Sequence, residues 1–488
     1  MDSNKKLGVT ALSALVVSAM IGGGIFSMPQ NIAQNASVLA VIVGWIITGV
    51  GIFFIANTFR ILSEICPDAT TGIYSYARLG FGKFAGFQIA WAYWLCNIFG
   101  NVAYAVLLMD ALNYFFPGYF TGGNNLWSII GGSLVIWVMN FAVLKGIHQA
   151  ASINTFGTIC KLVPLAIFIL IMLFVFRWSD FTFDMTGSLN IPAEHIKSPG
   201  TFLSQIKSTM MVTLWAFIGI EGAVVLSGRA KSQSAVGKAT ILGFAGCLTI
   251  YVLLSVLPFG SMNQAQLAEL SNPSTAELLQ KTVHGAWGGV LMNLGVIIAL
   301  LTSWLAFTIM IAQIPYAAAE DGTFPRIFRH KNIYGTPDVS LFVTSAIMQL
   351  TMILVYFSNN AWNTMLSITS VMILPPYLAC TLFLWKSCCK NNYPATATAG
   401  VAFATLCGVA GSIYALWMIY AAGLKYLGMA FIFLLIGIPV FIWAKHDHRQ
   451  DTQSPEPYFS APEYIGAAFI IIIAVAAAIG AITGKIQL

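Results

Sequence analysis

Residues 20–29 read MIGGGIFSMP, and they lie inside the first long apolar run of the chain. A second glycine-containing stretch, GIEG at 219–222, lies at a similar depth in the sixth run. Glycine in a helix interior costs about 1 kcal/mol relative to alanine, because it loses more conformational freedom on folding. Close helix packing would explain either stretch alone, since small residues let two backbones approach. Together the two stretches predict a pair of interrupted helices.

The composition places the chain in a lipid bilayer. Of its 488 residues, 58% are hydrophobic and 8% are charged, and the mean hydropathy is +0.81. A soluble globular protein has about 25% charged residues, and a soluble core could not bury this much apolar surface. The basic residues behind the net charge of +6 are scattered among short loops instead of clustered on one face, so we expect no nucleic-acid partner.

Apolar runs of about 20 residues cross a bilayer as helices. Thirteen such runs occur, at 8–34, 38–62, 85–116, 126–144, 153–176, 208–228, 239–258, 286–318, 339–357, 362–386, 398–421, 427–444 and 463–483. Lys and Arg concentrate in cytoplasmic loops. With a cytoplasmic N-terminus, sixteen of the 23 Lys and Arg residues fall in inner loops and six in outer loops, while Lys161 lies within the fifth run. The sequence predicts an all-α polytopic membrane protein with thirteen spans.

The two glycine-rich stretches also predict an internal repeat. Secondary transporters built from inverted repeats have interrupted helices at corresponding positions of their two halves. The predicted units are residues 1–176 with spans 1–5, residues 208–386 with spans 6–10, and residues 398–488 with accessory spans 11–13. Unwinding frees backbone N–H groups for a carboxylate and carbonyls for an ammonium group. Two facing breaks are therefore suited to the backbone of an amino acid.

Other classes of function have little support. The eight cysteines show no regular spacing and no CxxC pair, and the six histidines fall in expected loops, so we expect no disulfide framework, metal site or cofactor. The apolar runs contain no HExxH motif, paired aspartates or Ser/His set, and we expect no enzyme. A channel is disfavoured because the sequence has no repeated pore loop.

Four stretches carry a family resemblance. They are MIGGGIFSMP at 20–29, TGIYSYAR at 71–78 with FG at 81–82 and AGF at 85–87, WAFIGIE at 215–221, and AAAEDGTFP at 317–325. In this order they resemble the amino acid–polyamine–organocation transporters, and specifically the basic amino acid/polyamine antiporters. The resemblance implies a 5+5 inverted-repeat fold of the leucine-transporter type, with helices 1 and 6 broken.

Among subfamilies, the run GIFSMPQN at 24–31 and the thirteen-span length look most like arginine/ornithine antiporters. Related arginine/agmatine exchangers usually have twelve spans. The helix expected near 463–483 departs from their pattern, and its role is open.

The resemblance implies where the backbone of a substrate binds. Its carboxylate would lie on the first break, at Gly22, Gly23 and Gly24. Relatives often have a hydroxyl residue at the position of Gly23, and its absence leaves backbone N–H groups as the donors. Three carbonyls would hold the α-ammonium, those of Met20, Trp215 and Ile218.

The resemblance also implies how a cationic side chain is held. Cation–π attraction is strongest where water is excluded, and Trp215 and Trp304 correspond to such aromatic faces. Tyr93, Cys96 and Asn101 correspond to the side-chain end of the site. Ordinary bundle packing is the alternative for these residues, because 13% of the chain is aromatic.

Two ionisable residues inside spans are further candidates, since such residues are costly in a membrane and usually functional. Glu221 lies in the sixth-run break, where family members have a glutamate thought to sense protons or to gate. Lys161 lies where some sodium-independent relatives place a lysine whose ammonium substitutes for sodium. The alternatives are a structural carboxylate for Glu221 and a side chain reaching the inner membrane surface for Lys161.

These features together predict an alternating-access antiporter of the cell inner membrane that exchanges arginine for ornithine. The alternative is proton-coupled uptake or exchange of another basic amino acid or polyamine, such as lysine, histidine or agmatine. The expected partners are small cationic amino acids and the lipid bilayer. The sequence leaves the oligomeric state open between a monomer and a homodimer.

Overall fold

A computed structural model describes residues 8–69, 72–145, 150–187, 200–225, 230–390, 393–395, 397–452 and 458–483. Every regular element among these residues is helical. The α-helices are α1 (Val9–Met20), α2 (Met28–Ala33), α3 (Val38–Ile65), α4 (Ile73–Phe81), α5 (Lys83–Asn113), α6 (Leu126–Leu144), α7 (Ala150–Val175), α8 (Trp178–Thr182), α9 (Phe202–Ala216), α10 (Gly222–Val225), α11 (Gln233–Val256), α12 (Gln264–Ala268), α13 (Ser274–Thr282), α14 (Ala286–Glu320), α15 (Asp338–Val355), α16 (Ala361–Met372), α17 (Leu374–Cys389), α18 (Val401–Thr452) and α19 (Ala461–Ile482). Short 3₁₀ turns occupy Gly23–Ser27, Thr121–Gly123, Leu257–Gly260 and Arg326–Arg329.

The described residues contain ten helices that are long and apolar enough to cross a membrane, or eleven if the bent first pair counts as one span. The expected runs at 398–421 and 427–444 lie on either side of a kink in α18 at Gly423, where φ is 75° and ψ is 168°. This helix also continues to Thr452, beyond the expected end of span 12, so His446 and His448 lie in a helix instead of the expected loop. Thirteen spans and the 5+5 repeat therefore remain predictions.

The first break follows α1 directly. Helix α1 ends at Met20, Gly22 is extended with φ −82° and ψ −176°, and a 3₁₀ turn then leads into α2. The two halves of the segment are bent by 43°. Pro29 lies in the first turn of α2, where its missing N–H has no helical partner to lose. Residues 20–29 therefore form the interruption of a helix.

The second break follows α9. Residues 217–221 form turns between α9 and α10, and Gly219 has φ 107°, a conformation that side-chain-bearing residues rarely adopt. A methyl group built on Gly219 would stand 3.0 Å from the carbonyl carbon of Ala19. The two breaks are therefore neighbours, and residues 20–26 and 217–222 are all buried.

The breaks lie beside α5, the most buried of the candidate spans. Helix α5 packs against α14 and α16, and α9 packs against α3 and α16. By contrast, α6 and α19 are the least buried candidate spans, and their exposed side chains are mostly apolar, as a lipid-facing surface requires. The interrupted backbones are thus enclosed by protein.

Candidate functional site

A small cavity lies between the two breaks. Its lining residues are Met20, Cys96, Asn97, Gly100, Asn101, Tyr104, Trp215, Ile218, Phe307 and Thr369. They come from the end of α1, one face of α5, the last turn of α9 and the break that follows it, the middle of α14, and the last turn of α16. Five of the residues implied by the family resemblance are brought together here: Met20, Cys96, Asn101, Trp215 and Ile218.

The sequence reasoning missed the other five lining residues. Asn97, Gly100 and Tyr104 follow at helical spacing on the α5 face that carries Cys96 and Asn101, so periodicity could have found them. Phe307 and Thr369 lie more than 200 residues further along the chain, and no local pattern marks them.

The cavity wall contains polar atoms without partners. The Asn101 side chain is 1% exposed, and neither its amide oxygen nor its amide nitrogen has a hydrogen-bond partner among the described residues. The side-chain hydroxyl of Thr369 also has no hydrogen-bond partner among these residues. The backbone carbonyl of Thr369 accepts a hydrogen bond from the Cys96 thiol at 3.3 Å. Buried polar groups in proteins are normally paired. These groups are therefore available to a polar ligand.

Large side chains cover the glycines of the first break. A methyl group built on Gly22 would stand 2.3 Å from the Tyr104 hydroxyl. One built on Gly23 would stand 2.2 Å from Leu300, and one built on Gly24 would stand 1.7 Å from the Trp215 ring. The Trp215 indole thus lies directly on the backbone at Gly24. Three glycines are required here because the neighbouring helices occupy the space of any side chain.

If the protein is the transporter that the sequence predicts, replacing Gly24 with alanine should reduce transport at least about 10-fold, because overpacking a rigid site typically costs 1–3 kcal/mol. The added methyl would meet the rings of both Trp215 and Trp362, which cannot bend away as an aliphatic side chain could. Initial rates of uptake into proteoliposomes measure the effect. Gly246→Ala is the matched control, since a methyl built on Gly246 has no atom within 4 Å. Equal rates for both variants would contradict the close contact.

Two tryptophans meet edge-to-face beside this break. The rings of Trp215 and Trp362 have centroids 5.4 Å apart and planes at 83°. The Trp362 indole N–H donates to the Asn31 side chain on α2 at 3.3 Å. This pair therefore links α9, α16 and α2 over one end of the cavity.

Glu221 and two tyrosines form a buried cluster at the second break. The Glu221 carboxylate accepts from the Tyr93 hydroxyl at 2.9 Å, from the Tyr377 hydroxyl at 2.9 Å and from the Gly219 N–H at 3.1 Å. Glu221 is fully buried. The cluster ties the break to α5 and α17. Sequence reasoning selected Tyr93 and Glu221 separately but missed Tyr377.

Lys161 extends from α7 to the last turn of α1, just before the first break. Its ammonium donates to the Ser18 carbonyl at 2.7 Å, to the Ser18 hydroxyl at 3.0 Å and to the Ser303 hydroxyl at 3.1 Å. Three acceptors match the three donors of a lysine ammonium. The side chain is fully buried, so it does not extend to the inner surface as the alternative reading required.

Trp304 lies one turn from Phe307 on α14 but outside the cavity lining. It is fully buried, and its indole N–H has no hydrogen-bond partner in the described part of the chain. Its proposed contact with a substrate remains a prediction. Within the described residues, no group of three His, Cys, Asp or Glu side chains could hold a metal ion.

Comparison with known proteins adds independent information. A family model described as amino acid permease matches residues 7–425. A protein of Chlamydia pneumoniae named arginine/agmatine antiporter is 56% identical over 486 residues, which cover 100% of this chain and 99% of the relative. One of the same name from Chlamydia trachomatis serovar L2 is 57% identical over 445 residues, 91% of each chain. A putative amino-acid transporter of Clostridium perfringens is 55% identical over 475 residues, 97% of this chain and 98% of the relative.

Proposed function

Because the chain belongs to the amino acid permease family, we propose that it is a secondary transporter that exchanges cationic amino acids, with arginine and ornithine as the exchanged pair. One observation carries the proposal: two interrupted helices meet at a cavity lined by an indole face and an unpaired buried amide. The names of the Chlamydia relatives support an antiporter that carries arginine.

The substrate backbone binds at the two breaks. The N–H groups of Gly23 and Gly24 begin a 3₁₀ turn and have no acceptor within it, so they are free for the carboxylate. The Ile218 carbonyl accepts no backbone hydrogen bond from the described residues, and it receives the α-ammonium. The carbonyls of Met20 and Trp215 already accept one hydrogen bond each, and their second lone pairs serve the same ammonium.

The cationic end of the side chain lies against Trp215, Asn101 and Thr369. The indole face attracts the cation where water is excluded, and the amide and hydroxyl oxygens accept its hydrogen bonds. Tyr93, Cys96 and Trp304 shape the surroundings of this end. The guanidinium of arginine and the ammonium of ornithine both need such acceptors.

Alternating access would open the cavity to one side at a time. With a cytoplasmic N-terminus, the Trp215–Trp362 pair lies on the outer side of the cavity and the Glu221 cluster on the inner side. Opening outward separates the two indoles, and opening inward breaks the hydrogen bonds of Glu221. We place the protein in the inner membrane with thirteen spans, repeats at 1–176 and 208–386, and accessory helices at 398–488.

Agmatine is a second candidate for the exchanged partner, because the Chlamydia relatives are named for it. The two candidates differ in charge. At neutral pH arginine and ornithine each carry one net positive charge, whereas agmatine lacks the carboxylate and carries two. Exchange of arginine for ornithine is therefore insensitive to membrane potential, and exchange for agmatine moves one charge.

Labelled arginine uptake into proteoliposomes tests the function. Vesicles are loaded with ornithine, agmatine, lysine, histidine or buffer, and a potassium diffusion potential of either sign is imposed. We expect rapid uptake against ornithine that does not respond to the potential. Uptake that depends on the potential and occurs only into agmatine-loaded vesicles would favour the second candidate. Uptake into buffer-loaded vesicles that is driven by a proton gradient would favour proton-coupled transport. Exchange with none of the cationic loads would contradict the assignment.

Exchange should not depend on sodium. The Lys161 ammonium occupies a position between the first break and α14 and uses the oxygens of Ser18 and Ser303 that a cation would need. We expect arginine uptake in sodium buffer and in choline buffer to differ by less than about 2-fold, since a fixed ammonium leaves no site for the ion. A sodium requirement would rule out this role for Lys161.

A further inference from the structure

We infer that the Tyr104 hydroxyl donates a hydrogen bond to the α-carboxylate of a bound amino acid, and that it thereby makes the protein distinguish amino acids from their decarboxylated amines. The inference rests on the proposed function. It concerns a residue that neither the glycine pattern nor the four family stretches include.

Tyr104 lies on α5, one turn beyond Asn101, and lines the cavity. Its hydroxyl stands over the first break, because a methyl group built on Gly22 would be 2.3 Å from the hydroxyl oxygen and 3.0 Å from the ring carbon that bears it. The ring is held edge-to-face by Phe307, with centroids 6.1 Å apart and planes at 62°. The hydroxyl is thus fixed beside the extended backbone at Gly22.

This hydroxyl has no hydrogen-bond partner among residues that the structure describes, although Tyr104 is only 6% exposed. The neighbouring Tyr93 and Tyr377 behave differently, since both donate to Glu221. A buried tyrosine hydroxyl normally finds a partner. A donor left unpaired at a cavity wall is therefore available to a ligand.

The surroundings select an anionic group as that ligand. The hydroxyl stands next to Gly22, the residue that precedes the free N–H groups of Gly23 and Gly24, and we therefore place one carboxylate against all three donors. The break's own side-chain hydroxyl, that of Ser27, lies at the far end of the 3₁₀ turn, and Leu300 fills the space over Gly23. A cationic group here would meet N–H donors instead of acceptors. Tyr104 consequently supplies from α5 a hydroxyl at the start of the break, where the carboxylate binds.

The test compares ligands with and without a carboxylate on the full-length protein in proteoliposomes. Tyr104→Phe removes one oxygen atom and keeps the ring contact with Phe307. We expect the half-saturating concentrations of arginine and ornithine to rise about 10-fold, as for the loss of a hydrogen bond to a charged group. With labelled arginine kept well below its half-saturating concentration, the concentration of agmatine that halves arginine binding should change less than about 2-fold, because agmatine has no carboxylate.

Tyr114→Phe is the matched control, since Tyr114 directly follows the last residue of α5 and donates to Gln280, which does not line the cavity. It should leave all three ligands unchanged. Equal shifts for arginine and agmatine in Tyr104→Phe, or no shift for arginine, would overturn the inference. Failure of the wild-type protein to bind agmatine would also overturn it. The discrimination against agmatine would then be far larger than the loss of one hydrogen bond from the Tyr104 hydroxyl can explain. Failure of the wild type to exchange arginine would contradict the proposed function instead.

Discussion

Replacing Trp215 with leucine should lower arginine exchange by roughly 100-fold while the protein still inserts and folds. Two losses add here. The cation loses the indole face, an attraction of about 2 kcal/mol where water is excluded. The break also loses the ring that covers Gly24 and meets Trp362. Initial uptake rates in proteoliposomes give the effect, and size-exclusion chromatography in detergent confirms that the variant is folded.

Trp287→Leu is the matched control for this experiment. Trp287 lies at the start of α14, about five turns before Phe307. It does not line the cavity, and 52% of its surface is exposed. Its replacement should leave exchange within about 2-fold of the wild type, as is usual for surface substitutions. Near-normal transport by Trp215→Leu would refute the proposed cation face.

Replacing Glu221 with alanine should have a comparable effect for a different reason. Two tyrosine hydroxyls and the Gly219 N–H would lose their common acceptor in a fully buried site. Each unsatisfied buried donor costs about 1–3 kcal/mol, so we expect roughly a 100-fold loss of exchange and a lower melting temperature. Uptake assays and intrinsic-fluorescence melting measure the two effects.

Glu221→Gln separates the acceptor role from the charge. Glutamine keeps one acceptor oxygen, and we expect its exchange rate to lie between those of the wild type and the alanine variant. The control is Glu269→Ala, an exposed carboxylate at the end of α12. Wild-type transport and stability in Glu221→Ala would show that the cluster does not hold the second break to α5 and α17.

The local features of the fold could be predicted because they depend on backbone chemistry. Three consecutive glycines and the Gly219–Gly222 pair, at similar depths in two apolar runs, together predict interrupted helices, and both interruptions are present. Cys96 and Asn101 were implied by the family resemblance, and helical periodicity extends their face of α5 to Asn97, Gly100 and Tyr104. These features needed no knowledge of which helices touch.

The remaining features depend on tertiary packing, which a single sequence does not encode in any local pattern. Tyr377 joins Glu221 across 156 residues, and Thr369 joins Cys96 across 273. The direction of Lys161 was equally undetermined, because a lysine three turns into a span can face either a partner or the membrane surface. Trp304 was selected on α14, the helix that does contribute to the cavity, but the lining residue of that helix is Phe307, one turn further along.

The central claim is that the two helix breaks together bind one amino acid. A cryo-electron microscopy structure of the full-length protein with arginine in a lipid nanodisc tests it most directly. We predict arginine in the cavity, with its carboxylate within hydrogen-bond distance of the Gly23 and Gly24 N–H groups and its α-ammonium at the Ile218 carbonyl. Continuous helices through residues 20–26 and 217–222, or arginine bound elsewhere, would contradict the account.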